Sequence, residues 1–255
     1  ILNPNIIFFY MINNYQNQSF IGLSHRGNSK DFIENSFEAF NSVTEMGFKY
    51  IETDLRMTLD GEIIAFHDED LKRLFKIDLK VQDLTYKEID KLFGEQKCNL
   101  ISLREFLTQF PDIKFNIDLK SKSVVKKSIE IVKELKAFDR VCFASFNSAY
   151  TQEVLNTNPN AIVSMGLKDV AYFKFFTLLN KKANILQIPL RWKGIKILNK
   201  SLIERAKKKR LLIHVWTIND RDVIYDLIKM GINGIVTDEP LLLMDIMHEK
   251  NLIPV

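Results

Sequence analysis

Eight short apolar, β-branched runs recur along the 255-residue chain, and most are followed by a helical pattern. Strands that alternate with helices indicate a parallel sheet. Eight such units in about 240 residues fit a closed (β/α)8 barrel, the TIM barrel, better than an open sheet with helices on both faces. The sequence therefore predicts an α/β fold of the TIM-barrel type. The runs cover residues 20–24, 50–57, 115–120, 141–146, 161–167, 185–190, 211–218 and 234–238.

One connection interrupts this alternation, between the second run and the third. It holds two apolar stretches around Asp60 and Gly61, which predict a hairpin, and helical patterns at residues 84–93 and 102–110. A long connection with its own secondary structure is usually functional. We expect a single TIM-barrel domain over residues 19–255 with a small insertion after the second strand, at about residues 58–112. Residues 1–18 form an N-terminal extension of uncertain status.

Composition excludes several classes of protein. The chain is 46% hydrophobic and 27% charged, as ordinary globular proteins are. Its net charge of +4 is too small to indicate a nucleic-acid partner. Cys98 and Cys142 lie far apart, which excludes a disulfide framework and fits a reducing compartment. The apolar residues 6–10 are far fewer than the roughly 20 of a membrane-spanning helix. We therefore expect a cytoplasmic protein without stable membrane insertion, and the oligomeric state stays open.

Carboxylates gather near the ends of the predicted strands, where TIM barrels carry their active sites. Glu52 and Asp54 are two residues apart, so both point to one side of the second strand. Asp118 and Lys120 show the same spacing on the third. Crowded carboxylates either bind a cation or have raised pKa values, and an all-oxygen set suits Mg²⁺ or Ca²⁺. The alternative is that Glu52 and Asp54 form salt bridges with lysines or arginines of neighbouring loops.

Two histidines accompany these carboxylates. His25 ends the first strand and His67 follows the predicted hairpin, which suggests paired general acid and base catalysis near neutral pH. Arg26 and Lys120 offer donors for an oxyanion, and the alternative is that they only balance the carboxylates. A divalent cation, two histidines and two cationic side chains together describe a site that cleaves a phosphate ester.

Residues just after the first strand have candidate supporting roles. Asn35 followed by Glu38 predicts an N-cap with a capping-box partner for the first helix, and the alternative is a role in the site. Glu34 is expected to pair with Arg26 and to orient its guanidinium.

In combination these motifs resemble the glycerophosphodiester phosphodiesterase family. The resemblance extends from residue 20 to residue 241 in the family's order, and it is specific as a combination although each motif is short. The matching positions are His25–Arg26–Gly27, Glu34–Asn35, Ala39–Phe40, Gly47, Glu52–Thr53–Asp54, Thr58, Asp60–Gly61, His67–Asp68, Asp118–Leu119–Lys120, Ser145–Phe146, Pro159, Trp216–Thr217–Ile218–Asn219, Gly231, Thr237–Asp238 and Pro240.

The resemblance implies a TIM barrel and the hydrolysis of glycerophosphodiesters to sn-glycerol 3-phosphate and an alcohol, with Mg²⁺ or Ca²⁺ as cofactor. The partner is then a small-molecule substrate and not a nucleic acid. Trp216 matches an aromatic residue at the mouth of the pocket, with core packing as the alternative. The roles implied for the remaining residues are acid–base catalysis for His25 and His67, metal binding for Glu52, Asp54 and Asp118, and phosphate binding for Arg26 and Lys120.

Two positions depart from the family's pattern. Ile33 stands where a proline is common, and Asp118 stands where glutamate is commoner. An aspartate there also resembles the sphingomyelinase D-type phospholipases, so a sphingomyelinase D-like or lysophospholipase D-type activity is the alternative function. That activity requires an apolar entrance for acyl chains. The aromatic residues 172–179 either supply such an entrance or pack a helix on the barrel.

Overall fold

The computed structural model describes residue 12, residues 15–176 and residues 183–252, and in them strands and helices alternate. The strands are β1 (Ile21–His25), β2 (Tyr50–Met57), β3 (Ile63–Ala65), β4 (Lys114–Leu119), β5 (Val141–Ala144), β6 (Ile162–Val163), β7 (Ile185–Ile188), β8 (Arg191–Trp192), β9 (Ile195–Lys196), β10 (Leu212–Val215) and β11 (Gly234–Thr237). The helices are α1 (Phe37–Glu45), α2 (Lys72–Phe75), α3 (Tyr86–Glu95), α4 (Leu103–Gln109), α5 (Lys122–Glu134), α6 (Ser148–Thr157), α7 (Leu167–Phe176), α8 (Lys200–Lys208), α9 (Arg221–Met230) and α10 (Pro240–Glu249), with a 3-10 turn at Val81–Asp83.

Eight parallel strands form the barrel, in the order β6, β5, β4, β2, β1, β11, β10, β7. The two ends of this row meet through backbone hydrogen bonds, from Met165 N to Ile185 O at 2.9 Å and from Asn184 N to Val163 O at 3.0 Å. Each barrel strand overlaps one of the eight predicted runs. The predicted TIM barrel is confirmed.

Alternation along β2 shows how the barrel separates its core from its site. Ile51 and Leu55 face outward into the large apolar layer between strands and helices. Tyr50 faces inward and packs in a smaller interior cluster. Because side chains on a strand alternate between its two faces, Glu52 and Asp54 lie on the same inner face, farther along the strand. The barrel interior is thus apolar at one end and acidic at the other.

The insertion after β2 begins with the predicted hairpin. β3 pairs antiparallel with β2, and the turn between them closes with a hydrogen bond from Thr58 N to Glu62 O at 3.0 Å. The insertion has an apolar cluster of its own, which includes Phe66 and Phe93. Phe66 N donates to Asp54 O at 2.9 Å, so the residue after it, His67, is held beside the acidic end of the barrel.

The N-terminal extension lies mostly outside the described residues, and so does the apolar segment at residues 6–10. Two described residues of the extension cover the amino-terminal end of the barrel. Tyr15 is fully buried, and its carbonyl accepts a hydrogen bond from the Tyr50 hydroxyl at 2.5 Å. Gln16 Nε2 donates to Asn233 O at 2.8 Å. Within the residues that the structure describes, no helix has the length and apolar character needed to cross a membrane.

Candidate active site

Strand register brings the candidate site residues together at the carboxyl ends of the strands. His25 on β1 lies opposite Glu52 on β2, and Asp54 on β2 lies opposite Asp118 on β4. A cavity of about 380 Å³ opens above them. The predicted acid–base, metal-binding and phosphate-binding residues all line this cavity, namely His25, Arg26, Glu52, Asp54, His67, Asp118 and Lys120.

Asp54 is the most heavily paired carboxylate of the site. Its oxygens lie 3.0 Å from Arg26 Nε and 2.8 Å from Lys120 Nζ. Burial alone raises the pKa of Asp54, but the charges of Lys120 and Arg26 outweigh it and lower the pKa to about 2. Lys120 also reaches Asp118 Oδ2 at 2.7 Å. In this arrangement Arg26 and Lys120 balance the negative charge of the carboxylates. Charge balance is the alternative role that the sequence left open for these two residues.

The carboxylates of Glu52 and Asp118 have fewer hydrogen-bond partners than the carboxylate of Asp54. Glu52 Oε2 and Asp118 Oδ1 are buried and have no hydrogen-bond partner. Burial raises both pKa values, and the charge of Asp54 helps to bring that of Glu52 to about 8. Buried carboxylate oxygens without donors fit a hard divalent cation. As arranged, no three His, Cys, Asp or Glu side chains of the described residues are grouped closely enough to hold a metal ion, and Lys120 bridges Asp54 and Asp118 instead.

The raised pKa of Glu52 predicts a stability that depends on pH. A carboxyl whose pKa rises from 4.5 to about 8 on folding contributes stability that is fully present below its unfolded pKa and is lost as pH rises through the folded pKa. In buffer with a chelator we expect Tm to fall between about pH 5 and pH 8. Glu52→Gln should flatten this dependence in thermal melts. An unchanged slope in the variant would contradict the prediction.

A carboxylate orients the first histidine. His25 Nδ1 lies 2.6 Å from Asp238 Oδ1, and Asn219 Nδ2 donates to the other oxygen of Asp238 at 2.8 Å. His25 Nε2 is then left for the cavity, 3.7 Å from Glu52 Oε2. Burial alone would lower the pKa of His25, but the hydrogen bond to Asp238 and the charge of Glu52 raise it overall.

The second histidine, His67, also has an aspartate partner, but its pKa is shifted in the opposite direction. His67 Nδ1 lies 2.7 Å from Asp68 Oδ1, and Asp68 Oδ2 accepts from Arg73 Nε at 2.6 Å. Burial lowers the pKa of His67, and the positive charge of Lys120 adds to the effect. Two titratable groups whose pKa values are pushed apart are suited to opposite roles in proton transfer.

Asp238 is expected to set both the orientation and the pKa of His25. In Asp238→Asn the charged hydrogen bond is lost, so the pKa of His25 should fall. NMR titration of the histidine ring protons, in buffer with a chelator, measures this shift. The pKa of His67, which has its own partner in Asp68, is the internal control and should stay constant. An unchanged pKa of His25 would contradict the assignment.

Arg26 is presented by an unusual piece of backbone. Its φ of 60° is left-handed, and its N donates to Glu52 O at 2.8 Å. A Cβ on the next residue, Gly27, would lie 2.6 Å from the backbone of Ala39, so only glycine fits there. Glu34 accepts from Arg26 Nη1 at 2.9 Å, as expected, and also binds Arg73 of the insertion.

The prediction that Asn35 caps α1 is wrong. An N-cap needs an extended backbone, and Asn35 has a φ of 60°. Ser36 has φ −89° and ψ 163°, and its side chain accepts from Ala39 N. Glu38 accepts from Asn99 N at 2.8 Å and forms no capping box. The side chain of Asn35 contacts a carboxylate of the candidate site instead, since it accepts from Thr53 Oγ1 at 2.8 Å and donates to Asp54 at 3.3 Å.

Trp216 lies at the edge of the cavity, directly after β10. Its ring centroid is 5.8 Å from that of Phe146 and 6.3 Å from that of Trp192, and all three side chains line the cavity. Trp216 also packs on the interior cluster of the barrel. Both interpretations that the sequence left open for this residue therefore hold.

Several residues of the site were not among the sequence candidates. Asp68 and Asp238 were visible as the neighbours of His67 and of the last strand, and the strand-end rule that selected His25 applies equally to Asp238. No sequence signal pointed to Arg73 or Trp192, because each reaches the site from an excursion outside the barrel strands.

Comparison with known proteins identifies the family of this site. The model of the glycerophosphoryl diester phosphodiesterase family matches residues 25–242. The chain belongs to this family. It is 30% identical over 241 residues to the glycerophosphodiester phosphodiesterase of Caldanaerobacter subterraneus subsp. tengcongensis, covering 89% of this chain and 97% of the relative. It is 26% identical over 238 residues to the probable glycerophosphodiester phosphodiesterase 2 of Mycobacterium tuberculosis, covering 89% and 90%.

A solved structure of the same family supports both fold and membership. The crystal structure of a glycerophosphodiester phosphodiesterase from Thermotoga maritima has a TM-score of 0.72 to this chain and 27% sequence identity, and the match covers 89% of this chain and 98% of that one. The predicted family and the predicted enzyme class, a glycerophosphodiester phosphodiesterase, are confirmed by these matches.

Proposed function

We propose that the protein hydrolyses glycerophosphodiesters to sn-glycerol 3-phosphate and an alcohol, by acid–base catalysis from His25 and His67 at a divalent-cation site. One observation carries the proposal. The two histidines line one cavity with three carboxylates and two cationic side chains, and each has its Nδ1 hydrogen-bonded to an aspartate. In the reaction an oxygen of water bonds to phosphorus, the P–O bond to the alcohol breaks, and the alcohol leaves with a proton.

The opposite pKa shifts support a division of labour between the histidines. His25, whose pKa is raised, is the protonated partner and donates to the leaving alcohol. His67, whose pKa is lowered, is the neutral partner and accepts a proton from the attacking oxygen. Asp238 and Asp68 keep the reactive Nε2 atoms on the cavity side by accepting from Nδ1.

Arg26 and Lys120 are proposed to hold the phosphate oxygens. Both side chains line the cavity. Each has more hydrogen-bond donors than a single partner uses, because a guanidinium has five donors and an ammonium has three. Glu34 accepts a hydrogen bond from Nη1 of Arg26 and so orients the guanidinium, while part of the guanidinium stays available to a phosphate oxygen. Their positive charge stabilises the negative charge that develops on phosphate oxygens as the bond to the alcohol breaks.

The proposed cofactor is Mg²⁺ or Ca²⁺, held by Glu52, Asp54 and Asp118. The unpartnered buried oxygens of Glu52 and Asp118 support this, and the donor set is entirely oxygen. When bound, such an ion polarises a phosphoryl oxygen and offsets its charge. Asp118 binds Lys120 through one oxygen and leaves the other free, which fits a carboxylate shared between the lysine and a cation.

A panel assay tests the proposal. Purified protein with Mg²⁺ or Ca²⁺ should release glycerol 3-phosphate from glycerophosphocholine and glycerophosphoethanolamine. Sphingomyelin contains no glycerol, and release of choline from it marks the sphingomyelinase D-type alternative, which the family match does not favour. Choline release from sphingomyelin without glycerol 3-phosphate release from either diester would contradict the proposal.

A further inference from the structure

One arginine of the insertion contacts two carboxylates that belong to different parts of the site. Arg73 lies on α2, and its Nε donates to Asp68 Oδ2 at 2.6 Å. Its Nη1 and Nη2 donate to the two oxygens of Glu34, at 2.9 Å and 2.6 Å. Arg73 does not line the cavity, so the proposed reaction does not use it directly. Its contacts need a separate explanation.

Each of the two carboxylates holds a residue that the proposed reaction does use. Glu34 Oε1 also accepts from Arg26 Nη1 at 2.9 Å, and Asp68 Oδ1 lies 2.7 Å from His67 Nδ1. Arg73 is thus the middle member of a row of five side chains. The proposed phosphate contact Arg26 is at one end of this row, and the proposed proton acceptor His67 is at the other. A shift of either carboxylate would move the group that it holds.

The backbone of α2 is fixed by the packing of the insertion. Leu71, just before the helix, is fully buried, and its carbonyl accepts from Phe75 N at 2.8 Å. The ring centroids of Phe75 and Phe93 are 5.3 Å apart, and Phe75 packs against the apolar cluster of the insertion. Arg73 is therefore carried by a packed segment while its guanidinium reaches the loop after β1. Supporting side chains that are themselves held by packing keep a site in its productive geometry.

The contacts of Arg73 are more specific than those of an ordinary surface ion pair. A guanidinium is planar and offers several donors in fixed directions, so it can bind two carboxylates at once. The side chains of Glu34 and Asp68 are only 11% and 21% exposed. Burial alone would raise the pKa of both carboxyl groups, but hydrogen bonds from Arg73 and its neighbours outweigh it and lower both pKa values. Arg73 thus offsets two negative charges that would otherwise repel a phosphodiester.

We propose that Arg73 is a positioning residue that fixes Arg26 and His67 relative to each other. It acts through the carboxylates of Glu34 and Asp68 and does not touch the substrate. The inference rests on the proposed function, in which Arg26 holds the phosphate while His67 accepts a proton. The insertion then contributes two side chains to the reaction, His67 directly and Arg73 through its partners.

Kinetics of Arg73→Met test the proposal. Methionine keeps an unbranched side chain and removes the charge and all the donors. We expect kcat/KM for glycerophosphocholine to fall by about 10- to 100-fold, with KM raised and kcat lowered, as when an outer hydrogen-bond partner of a site residue is lost. Arg104→Met is the matched control, because Arg104 also lies in the insertion, is 51% exposed beside 48% for Arg73, and pairs with Glu134 away from the cavity. It should keep the wild-type kcat and KM.

A mutant cycle separates positioning from a merely structural role. Glu34→Gln weakens the link to Arg26 and should mainly raise KM, whereas Asp68→Asn weakens the link to His67 and should mainly lower kcat. In a protein that already carries both substitutions, Arg73→Met should change kcat/KM by about twofold at most, because residues that act together lose their effects together. An equal loss from Arg73→Met in the wild-type and in the substituted background would overturn the proposal.

A conservative variant tests the need for the guanidinium. Arg73→Lys keeps the positive charge but has one nitrogen in place of three, so it reaches one carboxylate at a time. We expect it to restore at most one of the two parameters, KM or kcat, to the wild-type value. Restoration of both would show that the charge alone is sufficient and would overturn the positioning role.

Failure of this proposal is distinguishable from failure of the proposed function. Hydrolysis by the wild-type protein, with unchanged kcat and KM in Arg73→Met, would overturn the positioning role and leave the proposed function intact. A lower Tm of Arg73→Met with unchanged kinetics would do the same, since it would make the residue structural only. No hydrolysis of glycerophosphocholine or glycerophosphoethanolamine by the wild-type protein would overturn the proposed function and the positioning role with it.

Discussion

Replacement of His67 by alanine is expected to lower kcat by about 10²- to 10⁴-fold, the usual contribution of a positioned acid or base. The same loss is expected for His25→Ala. Both side chains are partly exposed at the rim of the site, His25 at 20% and His67 at 33%, so truncation leaves the apolar core intact. Turnover of a glycerophosphodiester, measured beside thermal melts, separates a catalytic loss from a folding loss.

The pH profile makes this prediction specific to each histidine. Activity should fall at low pH as His67 gains a proton and at high pH as His25 loses one, because the pKa of His67 is lowered and that of His25 is raised. His67→Ala should remove the acidic limb and His25→Ala the alkaline limb. His248→Ala, on the exposed end of α10, is the matched control and should retain wild-type turnover. Near wild-type turnover in either site variant would contradict the acid–base assignment.

Removal of divalent cations is expected to abolish activity. A bound cation supplies several kcal/mol of transition-state stabilisation, so a chelator should reduce kcat by about 10³-fold or more, and added Mg²⁺ or Ca²⁺ should restore it. The physical reason is that the carboxyl groups of Glu52 and Asp118 are buried with raised pKa values, and that one oxygen of each, Glu52 Oε2 and Asp118 Oδ1, lacks a hydrogen-bond donor. Full activity of the stripped protein would contradict the cation site.

Variants at Asp118 refine this test. Asp118→Asn removes the charge and should raise the concentration of cation needed for half-maximal activity, measured by titration of the stripped protein. Asp118→Glu keeps the negative charge on a longer side chain and should keep cation affinity near that of the wild type. Asp222→Asn removes an exposed carboxylate at the start of α9 and is the matched control. Equal cation dependence in Asp118→Asn and Asp222→Asn would remove Asp118 from the set of ligands.

The fold was largely readable from the sequence because its signals are local. A short apolar, β-branched run predicted β2 with both of its ends correct, at residues 50 and 57. The hairpin was predicted from Asp60 and Gly61, where Gly61 has a φ of 80° that suits glycine. Shorter strands were less accurate, and β6 covers only two of the seven predicted residues.

The candidate site was predictable as a list of residues and less so as a set of contacts. Strand-end position selected His25, and strand position together with two-residue spacing selected Glu52, Asp54 and Asp118. The partner of each residue depends on register and on loops, which no local pattern encodes. Asn35 illustrates this, since its sequence context suits a helix cap while its left-handed backbone directs its side chain to Asp54.

By itself the sequence determined the barrel, the insertion and the identities of the groups at the carboxyl ends of the strands, because periodicity and residue chemistry are local properties of a chain. Only the tertiary structure decided that Asp238 orients His25, that Lys120 lies between Asp54 and Asp118, and that aromatic side chains line the same cavity as the charged site. These contacts join residues from distant parts of the chain. Their geometry follows from how the closed sheet sets neighbouring strands side by side, which is a property of the whole barrel.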